Sequence, residues 1–269
     1  MHPVLFEVFG RQIGTYSLFM ILGAVAAWFT IKVLGKRKDA DISLIFLFCI
    51  CGGLVGAFLL RPITRIPEIL MNWEQLRHLP PDVFASMVFG EVVFYGGFIG
   101  GVIALLLYCR KYKVPVRPVV DLFAPALAIA HAFGRVGCFF GGCCYGAPVS
   151  SSHPFSVVFP PFPIAAPAGV PLLATQLIEA TCLLVIAIIL AVVYKKTAGT
   201  GLTACLYGLL YSILRFFLEF YRGDPVRGIY GPFSTSQYIS IVLFATSVIL
   251  LVLLLKKRRQ NHPLDLNDK

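Results

Sequence analysis

Charged side chains are scarce in this sequence. Only 13% of its 269 residues are Asp, Glu, Lys or Arg, whereas a soluble domain carries about 25%. The mean hydropathy is +0.83, which excludes an ordinary water-soluble enzyme. The sequence also lacks the motifs of a G-x-S-x-G hydrolase, a Walker A nucleotide site and an H-E-x-x-H zinc protease. The composition therefore predicts a polytopic membrane protein.

Apolar segments recur along the whole chain. A helix needs about 20 residues to cross the bilayer core. The segments cover roughly residues 15–34, 42–60, 92–109, 119–134, 172–194, 201–220 and 236–255. We therefore expect an all-α bundle of seven transmembrane helices, and a single integral-membrane domain over residues 1–269.

The basic residues indicate the orientation of these helices. The net charge is +10, but Lys and Arg occur in short clusters between apolar segments, as topology signals do, and we expect no nucleic-acid partner. Clusters follow the first, third, fifth and seventh segments, at Lys36–Lys38, Arg110–Arg117, Lys195–Lys196 and Lys256–Arg259. The positive-inside rule then predicts an external N-terminus and a cytoplasmic tail over residues 256–269.

Two external loops follow from this orientation. Residues 135–171 contain seven prolines, which exclude a long helix, and we expect them to form an external cap. Phe155–Phe159 is predicted to form one short strand in it. The other loop, residues 61–91, mixes charged and apolar residues, and it is predicted to lie in the interface as an amphipathic arm.

A stripe of polar residues runs along the sixth apolar segment. Tyr211, Arg215, Glu219 and Arg222 are spaced i, i+4, i+8 and i+11, so one helical face carries all of them. Ionisable residues within a membrane segment are costly and are functional candidates. A structural ion pair between helices is an alternative, and Arg222 alone fits an interfacial anchor.

A second polar group lies at the same outer level. Arg135 stands in a glycine-rich run, Gly134–Gly146, and lipid phosphates are the simplest partners for such an arginine. Tyr16, Tyr95 and Tyr145 also lie at this level, where an aromatic belt is the alternative explanation.

His131 and the small residues have two interpretations each. His131 precedes Arg135 by one turn and fits either a packed core histidine or a proton carrier. Two glycine pairs, Gly52/Gly56 and Gly96/Gly100, indicate close helix packing.

The eight cysteines separate into two sets. Five lie in or at the ends of apolar segments and fit small apolar fillers, namely Cys49, Cys51, Cys109, Cys182 and Cys205. The other three, Cys138, Cys143 and Cys144, lie at the outer face, where a disulfide and a reactive thiol both remain open. The sequence contains no C-x-x-C pair and no completing histidine spacing, so no metal is expected.

These segments resemble the signatures of the prolipoprotein diacylglyceryl transferase family. Gly134–Gly146 keeps the frame of its Gly-Arg-x-Gly-Asn-Phe-x-Asn-Gly-Glu-x-x-Gly motif. Tyr211–Arg222 resembles its Tyr-x-x-x-Arg-Phe-x-x-Glu-Phe-x-Arg segment. Thr175–Glu179 resembles the end of its His-Pro-Thr-Gln-Leu-Tyr-Glu stretch. Phe94–Gly97 stands where the family has Phe-His-Gly-Gly, and Tyr16 stands where it has an important tyrosine.

The resemblance implies a transferase of the bacterial cytoplasmic (inner) membrane. It would move the diacylglyceryl group of phosphatidylglycerol to the lipobox cysteine thiol of a prolipoprotein and release glycerol phosphate. The implied partners are phosphatidylglycerol, prolipoprotein signal peptides and membrane lipid, without a cofactor. The expected catalytic residues are Arg135, Arg215, Glu219, Tyr95 and His131. The expected substrate-binding residues are Tyr16, Gly134, Gly137, Cys143, Tyr145, Gly146, Gln176, Tyr211 and Arg222.

Several positions depart from the family pattern. Cys138 and Gly141 replace its asparagines, Cys143 its glutamate, Tyr95 its histidine, and Leu173–Ala174 its His-Pro. The phosphate-binding arginines are kept. Two other functions therefore stay open, namely a transferase with the same donor and a different acceptor, and a non-catalytic lipid-binding or transport protein.

Overall fold

The computed structural model describes residues 4–8, 11–35, 40–81, 83–84, 94–161, 165–224 and 228–261. Helices dominate these residues, as the composition predicts. They are α1 Thr15–Leu34, α2 Ala40–Met71, α3 Trp73–Leu76, α4 Phe94–Lys111, α5 Val116–Gly141, α6 Thr175–Thr197, α7 Leu202–Leu218 and α8 Thr235–Asn261. A 3-10 turn at Glu219–Tyr221 continues α7.

The described residues also form three short antiparallel hairpins. They pair β1 Val4–Val8 with β2 Arg11–Gly14, β3 Ser156–Val158 with β4 Pro171–Leu173, and β5 Ile229–Tyr230 with β6 Phe233–Ser234. The strand β3 lies within the segment predicted to form a strand, which confirms that prediction.

Six helices of the described residues are long and apolar enough to cross a membrane. They are Thr15–Leu34, Ile42–Met71, Val116–Phe140, Thr175–Thr197, Leu202–Tyr221 and Thr235–Arg258. The chain is therefore an all-α, multi-pass membrane protein. The helix α4 carries the third predicted segment from residue 94 onward, and the first two residues of that segment lie outside the described residues. The count of seven thus stays a prediction.

Two helices run further than the sequence pattern predicted. The helix α2 continues beyond residue 60 through Pro62 and Pro67 to Met71, so part of the predicted loop 61–91 is helical. The helix α5 continues beyond residue 134 to Gly141. Each predicted end lies next to an arginine, Arg61 or Arg135, because a charged residue usually marks the end of the apolar environment. A charged side chain does not interrupt the backbone hydrogen bonds of a helix, so both helices continue past it.

One compact unit, Arg37–Val116, contains the packing of α2 on α4. A Cβ added to Gly56 would overlap the carbonyl oxygen of Gly96, and one added to Gly52 would lie 2.8 Å from the carbonyl oxygen of Gly100. The two helices therefore approach with backbone against backbone, which only glycine permits here. This confirms the packing role predicted for these glycines.

The other unit, Met1–Lys36 with Arg117–Lys269, contains α1 and α5–α8. Small residues of α5 lie against apolar residues of α6. Ala124 and Ala128 of α5 pack against Ile186, Ala187 and Leu190 of α6. A second cluster on the same two helices consists of Ala132, Ala180 and Leu183. Arg135 follows these apolar residues on α5, and Glu179 precedes them on α6.

A buried carboxylate ties the start of α7 to α5. The Asp121 side chain is fully buried, and it accepts hydrogen bonds from the backbone N–H groups of Gly201 (2.7 Å) and Ala204 (3.1 Å). The first N–H groups of a helix have no partner within the helix. Asp121 satisfies two donors there and so fixes α7 beside α5.

The proline-rich segment has a small apolar core of its own. Tyr145, Phe159, Ala166 and Leu172 are buried against one another, beside the β3–β4 hairpin. The first residues of the predicted cap, 135–141, belong to α5. The external location of this segment stays a prediction.

Candidate active site

Three helices bring charged side chains to one point inside the bundle. The Glu179 carboxylate of α6 lies between two arginines: its Oε2 is 3.1 Å from Nε of Arg135 on α5 and 3.8 Å from Nη1 of Arg215 on α7. Their side chains are 3%, 14% and 8% exposed, respectively. Charges this deeply buried need partners, and each arginine has Glu179 as one.

The network continues along the predicted stripe of α7. Arg215 Nη2 lies 2.7 Å from Glu219 Oε2 and donates to the Ser236 hydroxyl at 3.0 Å. Glu219 Oε2 is also 3.8 Å from Arg222 Nη1. Arg222 donates two hydrogen bonds to the Asp224 carboxylate, from Nε to Oδ1 at 2.8 Å and from Nη2 to Oδ2 at 2.5 Å. The predicted pair of Arg215 and Glu219 is therefore part of a longer chain of alternating charges.

This chain of alternating charges is balanced. Its three guanidinium groups and three carboxylates alternate in the order Arg135, Glu179, Arg215, Glu219, Arg222 and Asp224. Burial acts to lower the pKa of Arg222, but the hydrogen bond to Asp224 and neighbouring negative charges outweigh it, and the pKa is raised. Arg222 thus stays cationic. An anionic ligand that enters would compete with these carboxylates for the same arginines.

His131 touches both the charged chain and aromatic residues. Its Nε2 lies 3.9 Å from Glu179 Oε1, and its Nδ1 lies 3.4 Å from the Tyr207 hydroxyl. The Tyr211 ring meets the imidazole edge-on, with centroids 4.9 Å apart. Tyr211 and Tyr207 stack on each other. The imidazole is therefore both packed in the core and in contact with a polar group, so neither interpretation of His131 is excluded.

Glycines of α5 leave space for α1 to pack near Arg135. A Cβ on Gly137 would lie 3.2 Å from the Tyr16 ring and 3.1 Å from Phe19. Gly134 faces Met20 at an ordinary contact distance. Tyr16, which is 37% exposed, therefore lies against Gly137, two residues after Arg135 on α5.

Side chains of α6 hold the turn that follows α5. The carbonyl oxygen of Cys143 accepts a hydrogen bond from Gln176 Nε2 (2.8 Å), and that of Cys144 accepts one from Thr175 Oγ1 (3.1 Å). Gly142 and Cys144 have positive φ angles of 67° and 58°. This turn brings the Sγ atoms of Cys138, Cys143 and Cys144 within 4.8 Å of one another.

Backbone contacts join this turn to the end of α7. Gly146 pairs with Arg222 in a single β-bridge, and its N–H donates to the carbonyl oxygen of Leu173 at 3.0 Å. The N–H of Gly223 donates to the carbonyl oxygen of Tyr145, also at 3.0 Å. Tyr145 itself is buried in the apolar core of the proline-rich segment, so its ring does not join the charged chain.

The structure thus brings together most residues that the sequence singled out. Tyr95 begins α4 in the other unit, and its side chain lies outside the described residues. Glu179, which links the two arginines, was not among the predicted site residues. A signal for it existed, because it is the one acidic residue in the apolar segment 172–194, and the same rule that selected Glu219 applies to it.

A buried, charge-balanced set of arginines and carboxylates on helices of a multi-pass bundle defines an integral-membrane protein with a polar site inside its apolar core. The chain belongs to the prolipoprotein diacylglyceryl transferase family, whose model matches residues 3–253. The family resemblance of the sequence segments is thereby confirmed.

Curated relatives cover nearly the whole chain. It is 36% identical over 244 residues to the phosphatidylglycerol–prolipoprotein diacylglyceryl transferase of Clostridium tetani, covering 90% of this chain and 93% of the relative. It is 35% identical over 253 residues to transferase 2 of that name from Clostridium perfringens, covering 93% and 94%. The Gloeobacter violaceus transferase of that name is 31% identical over 246 residues, covering 89% and 87%.

Replacing Glu179 by Gln should destabilise the protein strongly. Two buried guanidinium groups would lose their shared carboxylate, and breaking a buried ion pair from one side costs about 3–5 kcal/mol. The thermal unfolding midpoint in detergent measures this loss. The matched control is Glu74→Gln, because Glu74 forms an exposed pair with Arg77 and such pairs contribute about 0–1 kcal/mol. Equal midpoints for the two variants would contradict the structural importance of Glu179.

Proposed function

We propose that this protein transfers the diacylglyceryl group of phosphatidylglycerol to a cysteine thiol of a prolipoprotein and releases glycerol phosphate. One observation carries the proposal: Arg135 and Arg215, from different helices, converge on a single carboxylate oxygen of Glu179. A site that places two guanidinium groups around one anionic oxygen suits a phosphodiester equally well. The substrates in the names of the relatives support the same reaction.

The reaction is a displacement at carbon. The thiol sulfur attacks the glyceryl carbon that bears the phosphodiester, and a carbon–sulfur bond forms as the carbon–oxygen bond breaks. The glycerol phosphate leaves with the bonding electron pair, and the thiol gives up its proton. Negative charge grows on the departing phosphate, so fixed cations beside it lower the barrier.

Arg135 and Arg215 form the proposed phosphate clamp. Glu179 and Glu219 hold the two guanidinium groups before the lipid arrives, which removes the cost of ordering them during the reaction. Tyr211 and Tyr95 are proposed hydrogen-bond donors to the headgroup. His131 is proposed to move protons, because it lies beside Glu179 and the Tyr207 hydroxyl.

The remaining predicted site residues are proposed to shape the space for the substrates. Tyr16 extends from α1 beside Gly137 and is partly exposed, which suits contact with a ligand. Gly134 faces Met20 of α1 at an ordinary contact distance. Gln176 fixes the Cys143 backbone. Tyr145 and Gly146 hold the proline-rich segment against the end of α7.

We further propose the bacterial inner membrane as the location, with the N-terminus outside, residues 135–171 as an external cap, and the C-terminal tail, residues 256–269, in the cytoplasm. The four basic clusters support this orientation. It places the arginine chain at the outer side, where an exported prolipoprotein arrives.

The clamp predicts a large loss of rate when either arginine is shortened. Arg135→Lys and Arg215→Lys keep the charge but lose the planar fork, and losing one such contact typically lowers the rate about 10²–10³-fold. Release of glycerol phosphate from headgroup-labelled phosphatidylglycerol is the measurement. Arg77→Lys, at a half-exposed side chain, is the control and should keep full activity. Release at the original rate by both clamp variants would refute the clamp.

The acceptor is tested with a lipobox peptide. Purified protein in phosphatidylglycerol vesicles should convert the peptide to a diacylglyceryl thioether, detected by its mass, and a peptide with serine in place of the cysteine should stay unmodified. Glycerol phosphate release without peptide modification would indicate the same donor with a different acceptor. No release at all from a folded protein would favour a lipid-binding or transport protein.

The orientation predicts which positions a membrane-impermeant thiol reagent reaches. In intact cells, Ser152→Cys should gain label relative to the unsubstituted chain, because residue 152 lies in the predicted external cap and is exposed. Lys196→Cys should gain label only after permeabilisation. The reverse pattern would overturn the orientation.

A further inference from the structure

Three thiols meet at the end of α5. Cys138 lies in the last turn of that helix, and Cys143 and Cys144 follow on the turn beyond it. Their Sγ atoms all lie within 4.8 Å of one another. Zinc–thiolate bonds of about 2.3 Å place the sulfurs of a tetrahedral site about 3.8 Å apart. Small side-chain rotations would therefore bring all three sulfurs onto one ion.

We propose that Cys138, Cys143 and Cys144 bind a zinc ion, and that its open fourth position takes the acceptor thiol. This inference rests on the proposed transferase function. Three protein ligands with one open position form the usual arrangement of a catalytic zinc. Cys138 is buried, whereas Cys143 and Cys144 are half-buried, so the cluster is anchored on one side and reachable on the other.

The backbone around the cluster is held in place. Gln176 and Thr175 fix the carbonyl groups of Cys143 and Cys144 by hydrogen bonds. Cys144 adopts a left-handed φ of 58°, which is uncommon for a residue with a side chain. This conformation turns Cys144 back toward the helix end, where the other two sulfurs lie. A ligand set of this kind is ordered before the metal arrives.

The cluster also lies beside the phosphate clamp. Cys138 follows Arg135 by three residues on α5, so both belong to one helical face. Gly146, two residues after Cys144, pairs with Arg222 in a β-bridge, so the far end of the charged chain also comes close to the turn that carries the cluster. A thiol bound to the zinc would thus stand next to the phosphate that it displaces.

The reaction needs an ionised sulfur, and metal coordination is one way to produce it. A free thiol has a pKa of about 8.5 and is mostly protonated at neutral pH. Zinc coordination deprotonates a thiol outright.

The atoms balance in this scheme. The acceptor thiol displaces water from the zinc and releases its proton to solvent. The coordinated sulfur forms its bond to the glyceryl carbon, and the phosphate leaves with the electron pair of the broken carbon–oxygen bond. The product is a neutral thioether, a weaker ligand than a thiolate, so water replaces it.

Metal binding is tested on the full-length chain, purified reduced in detergent. After chelation, Zn²⁺ should bind at one ion per chain and protect three thiols from alkylation. Co²⁺ alone should give a thiolate charge-transfer band, and lipobox peptide should intensify it. Cys143→Ser and Cys144→Ser should each lose the band. Cys182→Ser, a half-buried cysteine of α6 outside the cluster, should keep it.

Two results would overturn the metal site. One is a reduced chain that binds no Zn²⁺ and leaves all its thiols reactive. The other is a disulfide within the cluster that forms in the isolated protein and persists in cells. Both are read from the unsubstituted chain, so the test does not depend on whether a cysteine variant folds.

Activity separates this inference from the proposed function. Chelation should abolish glycerol phosphate release in the presence of lipobox peptide, and Zn²⁺ should restore it. Unchanged transfer by the metal-free protein would refute the zinc inference and leave the transferase function standing. Absence of release from both forms would refute the transferase function, whereas the cobalt band decides metal binding independently.

Discussion

The site depends on the contact of one carboxylate, Glu179, with two arginines from different helices. Each guanidinium group would be prohibitively costly at this depth without a negative partner. Because α5, α6 and α7 each supply one member of the trio, the pairing also fixes how these three helices face one another. A substrate anion that binds these arginines has to compete with the carboxylates already beside them.

The balance explains why the site tolerates several buried charges. Glu219 and Asp224 extend the alternation, so each guanidinium group has carboxylates beside it. Such a chain is preorganised, since its guanidinium groups already lie within 3.8 Å of carboxylate oxygens. In a displacement that builds charge on a leaving phosphate, preorganised donors lower the barrier without rearranging during the step. Stability and proposed catalysis therefore use the same contacts.

Small residues leave room for the side chains around the charged chain. Alanines of α5 pack against apolar residues of α6, and Gly137 leaves room for Tyr16. The cysteines of the following turn occupy the same neighbourhood. Cys138 and Cys143 stand at two positions where this chain departs from the family pattern, and the fold assembles them with Cys144 into one cluster. These two departures therefore lie at one location, beside Arg135 of the clamp.

The sequence alone determined the membrane class, the polar stripe of α7, the close-packing role of the glycines in α2 and α4, and the family, because hydropathy, helical period and motif frames are local properties. It misplaced the ends of α2 and α5, since a charge does not interrupt a helix. Tertiary structure decided the rest. Glu179 becomes the link between Arg135 and Arg215 only when three helices pack, and three cysteines without a C-x-x-C spacing meet only through the turn at Gly142 and Cys144. Such contacts depend on which helix faces meet, and no local pattern encodes that.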